Sequence, residues 1–160
     1  PEGTPLRLGD VVRTQLSTAG AGSLRVTSTT PLVVSWRTYD ARAAVAAWPP
    51  LLPALSREGA RTRGAFEALP SRPGRGGIRS AVSIVDASGK GSRVTLTLTA
   101  GSRTLDRTTR RLRPFGCLNT DIPAAPGDLV RVEFSASEPV LALATVTENG
   151  SGAVSLVPAG

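Results

Sequence analysis

The chain has 160 residues, 40% of them hydrophobic, and carries 19 Lys and Arg against 12 Asp and Glu for a net charge of +7. That suffices for one ordinary domain or two small ones with a normal core. It is not the composition of a disordered chain, and no apolar run approaches the roughly 18 residues of a membrane span. There is no histidine and one cysteine, Cys117, which excludes Ser-His-Asp and Cys-His pairs, imidazole or thiolate metal sites and an intramolecular disulfide.

In chain order, Ser23-Leu-Arg-Val-Thr-Ser and Pro31-Leu-Val-Val-Ser-Trp-Arg-Thr-Tyr-Asp40 come first, and both read as strands. Asp40 and the alanines that follow offer a short helix, but Pro49 and Pro50 stop it within two turns, so irregular loop is the alternative. Residues 55–77 carry five glycines and two prolines and read as a connection, with Arg72-Pro-Gly-Arg-Gly-Gly77 as flexible linker rather than an RNA-binding tract. Residues 78–85 and the strictly alternating Val94-Thr-Leu-Thr-Leu-Thr99 are half-buried strands. The polar turn 86–92 between them predicts a hairpin. Its Ser88-Gly-Lys-Gly-Ser92 lacks the residue order of a phosphate loop.

The Arg-rich stretch 103–113 reads as a solvated strand, and Cys117 as a small buried hydrophobe or an exposed reactive thiol. Residues 129–135 alternate, Pro139 opens a further strand to Thr147, and the turn 148–152 leads to a last one at 153–157.

The second half of the chain echoes the first. Asp10 corresponds to Asp121 at an offset of 111, Pro31 to Pro139 at 108, and Pro53 to Pro158 at 105, with Leu24-Arg-Val26 answering Val130-Arg-Val132. The chain thus reads as one complete β unit over about residues 60–160, its main body 78–160, joined through 57–77 to the back half of another over 1–56. Such a half-unit is expected either from a longer array or from a chain that starts at Pro1 after loss of an initiator Met. Acids at equivalent turns, Asp10 and Asp121 or Asp40 and Glu148, point to turn capping rather than to a paired-carboxylate catalyst or a Ca²⁺ site.

On Gly22-Ser-Leu-Arg-Val26, Pro31 through Asp40, Leu52-Pro-Ala54, Val94 through Thr99, Pro139 through Asn149 and Val157-Pro-Ala159, the chain resembles the extracellular β-sandwich (Ig-like) repeats of large secreted or surface proteins of GC-rich bacteria. The resemblance implies an all-β antiparallel sandwich and a repeat architecture. It supplies no catalytic residue.

The expected function is a non-enzymatic extracellular module, secreted or at the cell surface, that needs no cofactor and assembles through its sheet edges with copies of itself or adjacent units. A decoration protein on a virion or shell is one alternative. A module binding a polyanion or carbohydrate is another, since all basic residues but Lys90 are arginine. Sparse aromatics argue against nucleic acid. The candidate contact residues are Trp36, Tyr39 and Trp48, which either cover the half-unit or anchor a partner, and Arg103, Arg107, Arg110, Arg111 and Arg113.

Overall fold

A computed structural model describes residues 24–36, 52–72, 74, 76–125 and 129–160. Tyr39, Trp48, Asp10, Asp40 and the alanine-rich 41–47 lie outside them. The described chain is all-β and antiparallel, with no α-helix. A two-stranded pair joins β1 (Ser35–Trp36) to β2 (Leu52–Pro53), and a 3-10 turn follows at Arg57–Gly59. One curled sheet then holds β3 (Arg61–Pro70), β4 (Ile78–Asp86), β5 (Ser92–Ala100), β6 (Arg103–Leu112), β7 (Cys117–Asp121), β8 (Leu129–Glu148) and β9 (Val154–Pro158).

The spine is β8, 20 residues long. The sequence reads two strands there, broken by Pro139. The structure has one, and its inward positions keep the same parity from Val130 through Val132, Phe134 and Val140 to Ala144, all buried. Proline is tolerated because it sits where the ladder partner changes: residues 131–136 of β8 pair with β5, and residues 140–148 pair with β4.

The expected hairpin between the two alternating strands is not formed as a ladder. Val140 is flanked by Arg61 of β3 and Asp86 of β4, which must lie on opposite edges of β8, while Ser135 is flanked by Arg63 of β3 and Thr95 of β5. So β4 and β5 follow each other along one edge of β8 and never pair with one another. Strands β7 and β6 line them on the outside, and β9 and β3 line the other edge of β8. The turn between β4 and β5 is a kink in one long strand, at the line along which the sheet curls.

Inside the curl, alternate residues of both halves form one core. Val94, Leu96 and Leu98 of β5 meet Val82 and Ile84 of β4, with Val130, Val132, Phe134, Val140 and Ala144 of β8. The expected 57–77 connection contributes Phe66 and Leu69 to it, because residues 61–70 are the strand β3. A bulge explains the missed signal: Phe66 faces Val132 and Leu69 faces Val130, three residues against two, so both point inward at a spacing that breaks period 2. Gly64 is also required there, since a Cβ would come within 2.7 Å of the Phe134 ring. The Arg/Gly segment after β3 is no loose linker either: Arg72 and Ile78 exchange two backbone hydrogen bonds across it. Buried serines close the seams, Ser71 donating to the Ile122 and Pro123 carbonyls and Ser80 to that of Pro70.

If β3 is part of the core, Phe66→Ala is expected to lower the unfolding free energy by about 3–5 kcal/mol in urea titrations. A loss within about 0.5 kcal/mol, as at a surface position, would return residues 61–70 to linker status.

Candidate functional site

Three features stand out when the surface is built from its residues. The first is the buried carboxylate at the kink. Asp86 ends β4 and is 1% exposed. Its Oδ1 accepts hydrogen bonds from the Ser88 amide (3.2 Å) and hydroxyl (2.7 Å); its Oδ2 accepts from the amides of Gly89 (3.0 Å), Gly91 (3.1 Å) and Phe115 (3.0 Å). Four backbone donors of two different turns converge on one side chain. Burial pushes the Asp86 pKa up, but the bonds from the Ser88 hydroxyl and from the Phe115, Gly91 and Ser88 amides outweigh it and hold the carboxyl below its ordinary value. Gly89 lies under the Phe115 ring at φ 78°, where a Cβ would meet that ring at 2.5 Å. On the same ring sits the Arg25 guanidinium, 4.6 Å from the centroid, in a cation–π contact that ties residues 24–36 to this corner. The sequence signal for this staple was an Asp at the head of a Ser-Gly-Lys-Gly turn, which reads only as a turn until β6 and β7 bring Phe115 alongside.

The second feature is the arginine edge. All five arginines singled out in the 103–113 stretch are exposed, four of them on β6, which among the described residues pairs only with β5. They do not form one patch. Arg110 lies opposite Val94 and Arg103 opposite Ala100, at separate ends of the strand. Arg107 and Arg111 lie on the outer face, opposite Thr97 and Arg93. Sequence reading missed Arg93, yet it stands directly across from Arg111, and like charges so placed repel. Beside them, Lys90, Gly91, Ser92 and Ser137 complete a shallow open depression of about 340 Å³; a second, of about 330 Å³, lies across Lys90 toward Arg57 and Glu138.

Nearby Arg131 shows the usual arrangement: its guanidinium is hydrogen-bonded to Glu67 (2.7 Å) and to Glu133, and the Arg131 hydrogen bond holds Glu67 below the usual carboxylate range. Among the described residues Arg93, Arg107 and Arg111 make no such pair; Lys90 has Glu138 at 3.8 Å.

The third feature is apolar. Leu24, Val26, Leu32, Val33 and Trp36, all between residues 24 and 36, are large hydrophobic side chains left exposed. Trp36 thus lies at the surface, on β1, as the sequence allows. Cys117 is half-buried on the edge strand β7, its thiol directed at Asn119 Oδ1 and its pKa raised by burial. Of the repeat-equivalent acids within the described residues, Glu148 accepts from Ser151 in its turn, and Asp121 ends β7 opposite Ala81. Among the described residues no cluster of three or more Cys, Asp or Glu is arranged to hold a metal ion.

No protein-family model matches the chain, and no curated protein does. Among solved structures, the crystal structure of Thermotoga maritima 1070 is similar in fold, with a TM-score of 0.51 and 10% identity over 62% of this chain and 92% of that chain.

The staple gives a pH test. Because the Asp86 pKa is lower in the folded chain than in the unfolded one, its contribution is complete above the ordinary aspartate pKa of about 3.9 and is lost as pH falls through the folded value. Asp86→Asn leaves buried amide donors without acceptors and is expected to cost roughly 2–4 kcal/mol at pH 7. The difference between wild type and variant should shrink on acidification below about pH 4. A difference independent of pH between 2 and 7 would contradict the charged staple.

Proposed function

We propose that this chain is a non-enzymatic structural module acting outside the cell, at a surface or in the secreted space, which binds neighbouring units of its own kind through strand edges and the apolar face of residues 24–36. The observation that carries this reading is the clustering of exposed large hydrophobic side chains on that short segment. Exposed apolar patches on a soluble surface mark interaction sites. Among the described residues the outer edge of β6 pairs with no strand, and an open edge offers backbone donors and acceptors.

Sedimentation over a wide concentration range tests it. The chain is expected to associate, with Leu32→Asp or Trp36→Asp weakening association at least tenfold and leaving the thermal midpoint of the β3–β9 body unchanged. A strict monomer at several hundred micromolar, or association indifferent to both substitutions, would overturn the reading.

The opposed arginines favour a second reading, a polyanion held on the outer face of β5 and β6. A like-charge pair with no acidic partner among the described residues costs stability, and a bound anion would offset that cost. Arg111→Thr is then expected to stabilise the free chain by a few tenths of a kcal/mol while lowering the salt concentration at which it elutes from heparin. Elution of wild type and variant at the same salt would dismiss this site.

A further inference from the structure

The internal correspondence between the halves of the chain can be set against the observed strand registers. With the offset of 108 that takes Pro31 to Pro139 and that of 105 that takes Pro53 to Pro158, Ser35 maps to Leu143, Trp36 to Ala144, Leu52 to Val157 and Pro53 to Pro158. In the structure Ser35 lies opposite Pro53 and Trp36 opposite Leu52, while Leu143 lies opposite Pro158 and Ala144 opposite Val157. Thus β1 and β2 are paired in the register of β8 and β9. A backbone hydrogen bond from the Ala54 amide to the Val34 carbonyl, at 3.0 Å, extends the same ladder.

The two copies differ in what covers them. Val130, Val132, Val140 and Ala144 are 0, 0, 1 and 0% exposed; their counterparts Leu24, Val26, Leu32 and Trp36 are 63, 49, 57 and 39% exposed. In the complete unit the edge of β8 opposite to β9 is taken by two strands that follow each other along it and carry the apolar face onward into the core. They are β4, with Val82 and Ile84 buried, and β5, with Val94, Leu96 and Leu98 buried. Beside β1 no such strand stands among the described residues; its partner β2 occupies the β9 side.

We infer that residues 24–36 with 52–54 are an acceptor for a strand of β4–β5 chemistry from another unit of this repeat: an extended segment with Val, Ile or Leu at every second position and Ser or Thr between, added antiparallel to β1. This rests on the reading of the chain as an assembling module and names what it binds. The mode is strand addition, in which main-chain bonds to an open edge supply affinity and the alternate side chains fill the apolar face. The register follows from the complete unit. Ser83 faces Leu143, Ile84 faces Ala142 and Asp86 faces Val140, so the incoming strand sets its Ser83 opposite Ser35, its Ile84 opposite Val34 and its Asp86 opposite Leu32.

A synthetic peptide of this chain's residues 78–100, fluorescently labelled, tests the inference against the whole chain. Saturable binding is expected, weakened at least tenfold by Leu32→Asp or Trp36→Asp and unchanged by Leu129→Asp, an exposed apolar position outside the acceptor face. In a Cys117→Ser background, Ser35→Cys should form a disulfide with a peptide carrying Ser83→Cys and not with one carrying Ile84→Cys, whose side chain faces the other way. Absence of binding, binding indifferent to Leu32 and Trp36, or equal crosslinking of both peptides would overturn it. Self-association of the chain that persists when the peptide fails to bind would overturn the acceptor alone and leave the assembling module standing. A peptide that binds a strictly monomeric chain does the reverse.

Discussion

A single buried carboxylate holds the line along which this sheet folds. Each of the two courses of the sheet on one side of β8 is one long strand interrupted once, β4 to β5 at residues 87–91 and β6 to β7 at residues 113–116. The interruptions lie side by side, and Asp86 binds amides from both. On the spine the bend at 137–139 is tied to the same corner, since Ser92 bonds both ways with Glu138, the Arg93 amide donates to Ser137, and the Ala87 amide donates to the Pro139 carbonyl. Without a common anchor, three long strands could stay extended and leave both halves of the apolar face in water. With it, the faces of the two halves meet as one core. A carboxylate suits the post because it accepts several hydrogen bonds at once and these are charge-assisted, which offsets the cost of burying it.

How much of this was legible depends on whether the signal was local. The strands carrying clean alternation, residues 78–85, 94–99 and 129–135, lie where the sequence puts them, because each has one face in the core and one in solvent. The all-β antiparallel class follows from them. Strand β3 was not legible, since its bulge moves Leu69 out of phase with Phe66 and its Gly64 is demanded by a Phe134 ring seventy positions away. The pairing of β4 and β5 was misread for a related reason. A polar glycine turn between two alternating strands is the local signature of a hairpin, whereas here the partner of both is β8, and only the tertiary fold decides that. On the surface, the five arginines of the 103–113 stretch were visible in the sequence, but Arg93 gains its meaning only from standing across from Arg111.

The distribution of charge separates structural from spare arginines. Arg131 sits between Glu67 and Glu133 on the outer face of the sheet, where each acid is within hydrogen-bonding distance. Arg93, on the adjacent β5, and Arg111, on β6 beyond it, share that face with threonines beside them instead of acids among the described residues, and the Thr95 and Thr109 hydroxyls bond each other at 2.9 Å. Both arginine settings are solvent-exposed, so neither contributes much to stability. The difference is in the field: compensated near β3, uncompensated over β5 and β6. An exterior anion would be drawn to the second region and not to the first.

The apolar segment 24–36 poses a different energetic problem. Burying a fully exposed aliphatic or aromatic side chain is worth about 1.5–3 kcal/mol, so these four positions, each about half exposed, forgo on the order of 3–6 kcal/mol, which reaches the lower end of the stability of a small domain. A two-stranded ribbon is marginal in water, and β1 and β2 pair through only two residues each. Their register nonetheless coincides with that of β8 and β9. A pairing so short has little to hold it in one register by itself, because a slip by one residue would invert which side chains face inward. The apolar alternation of Leu32, Val34 and Trp36 specifies that register only if the face it defines becomes covered. On the proposed reading the segment is half of an interface whose other half has the chemistry of β4 and β5, and its exposed hydrophobic side chains supply the driving force for assembly.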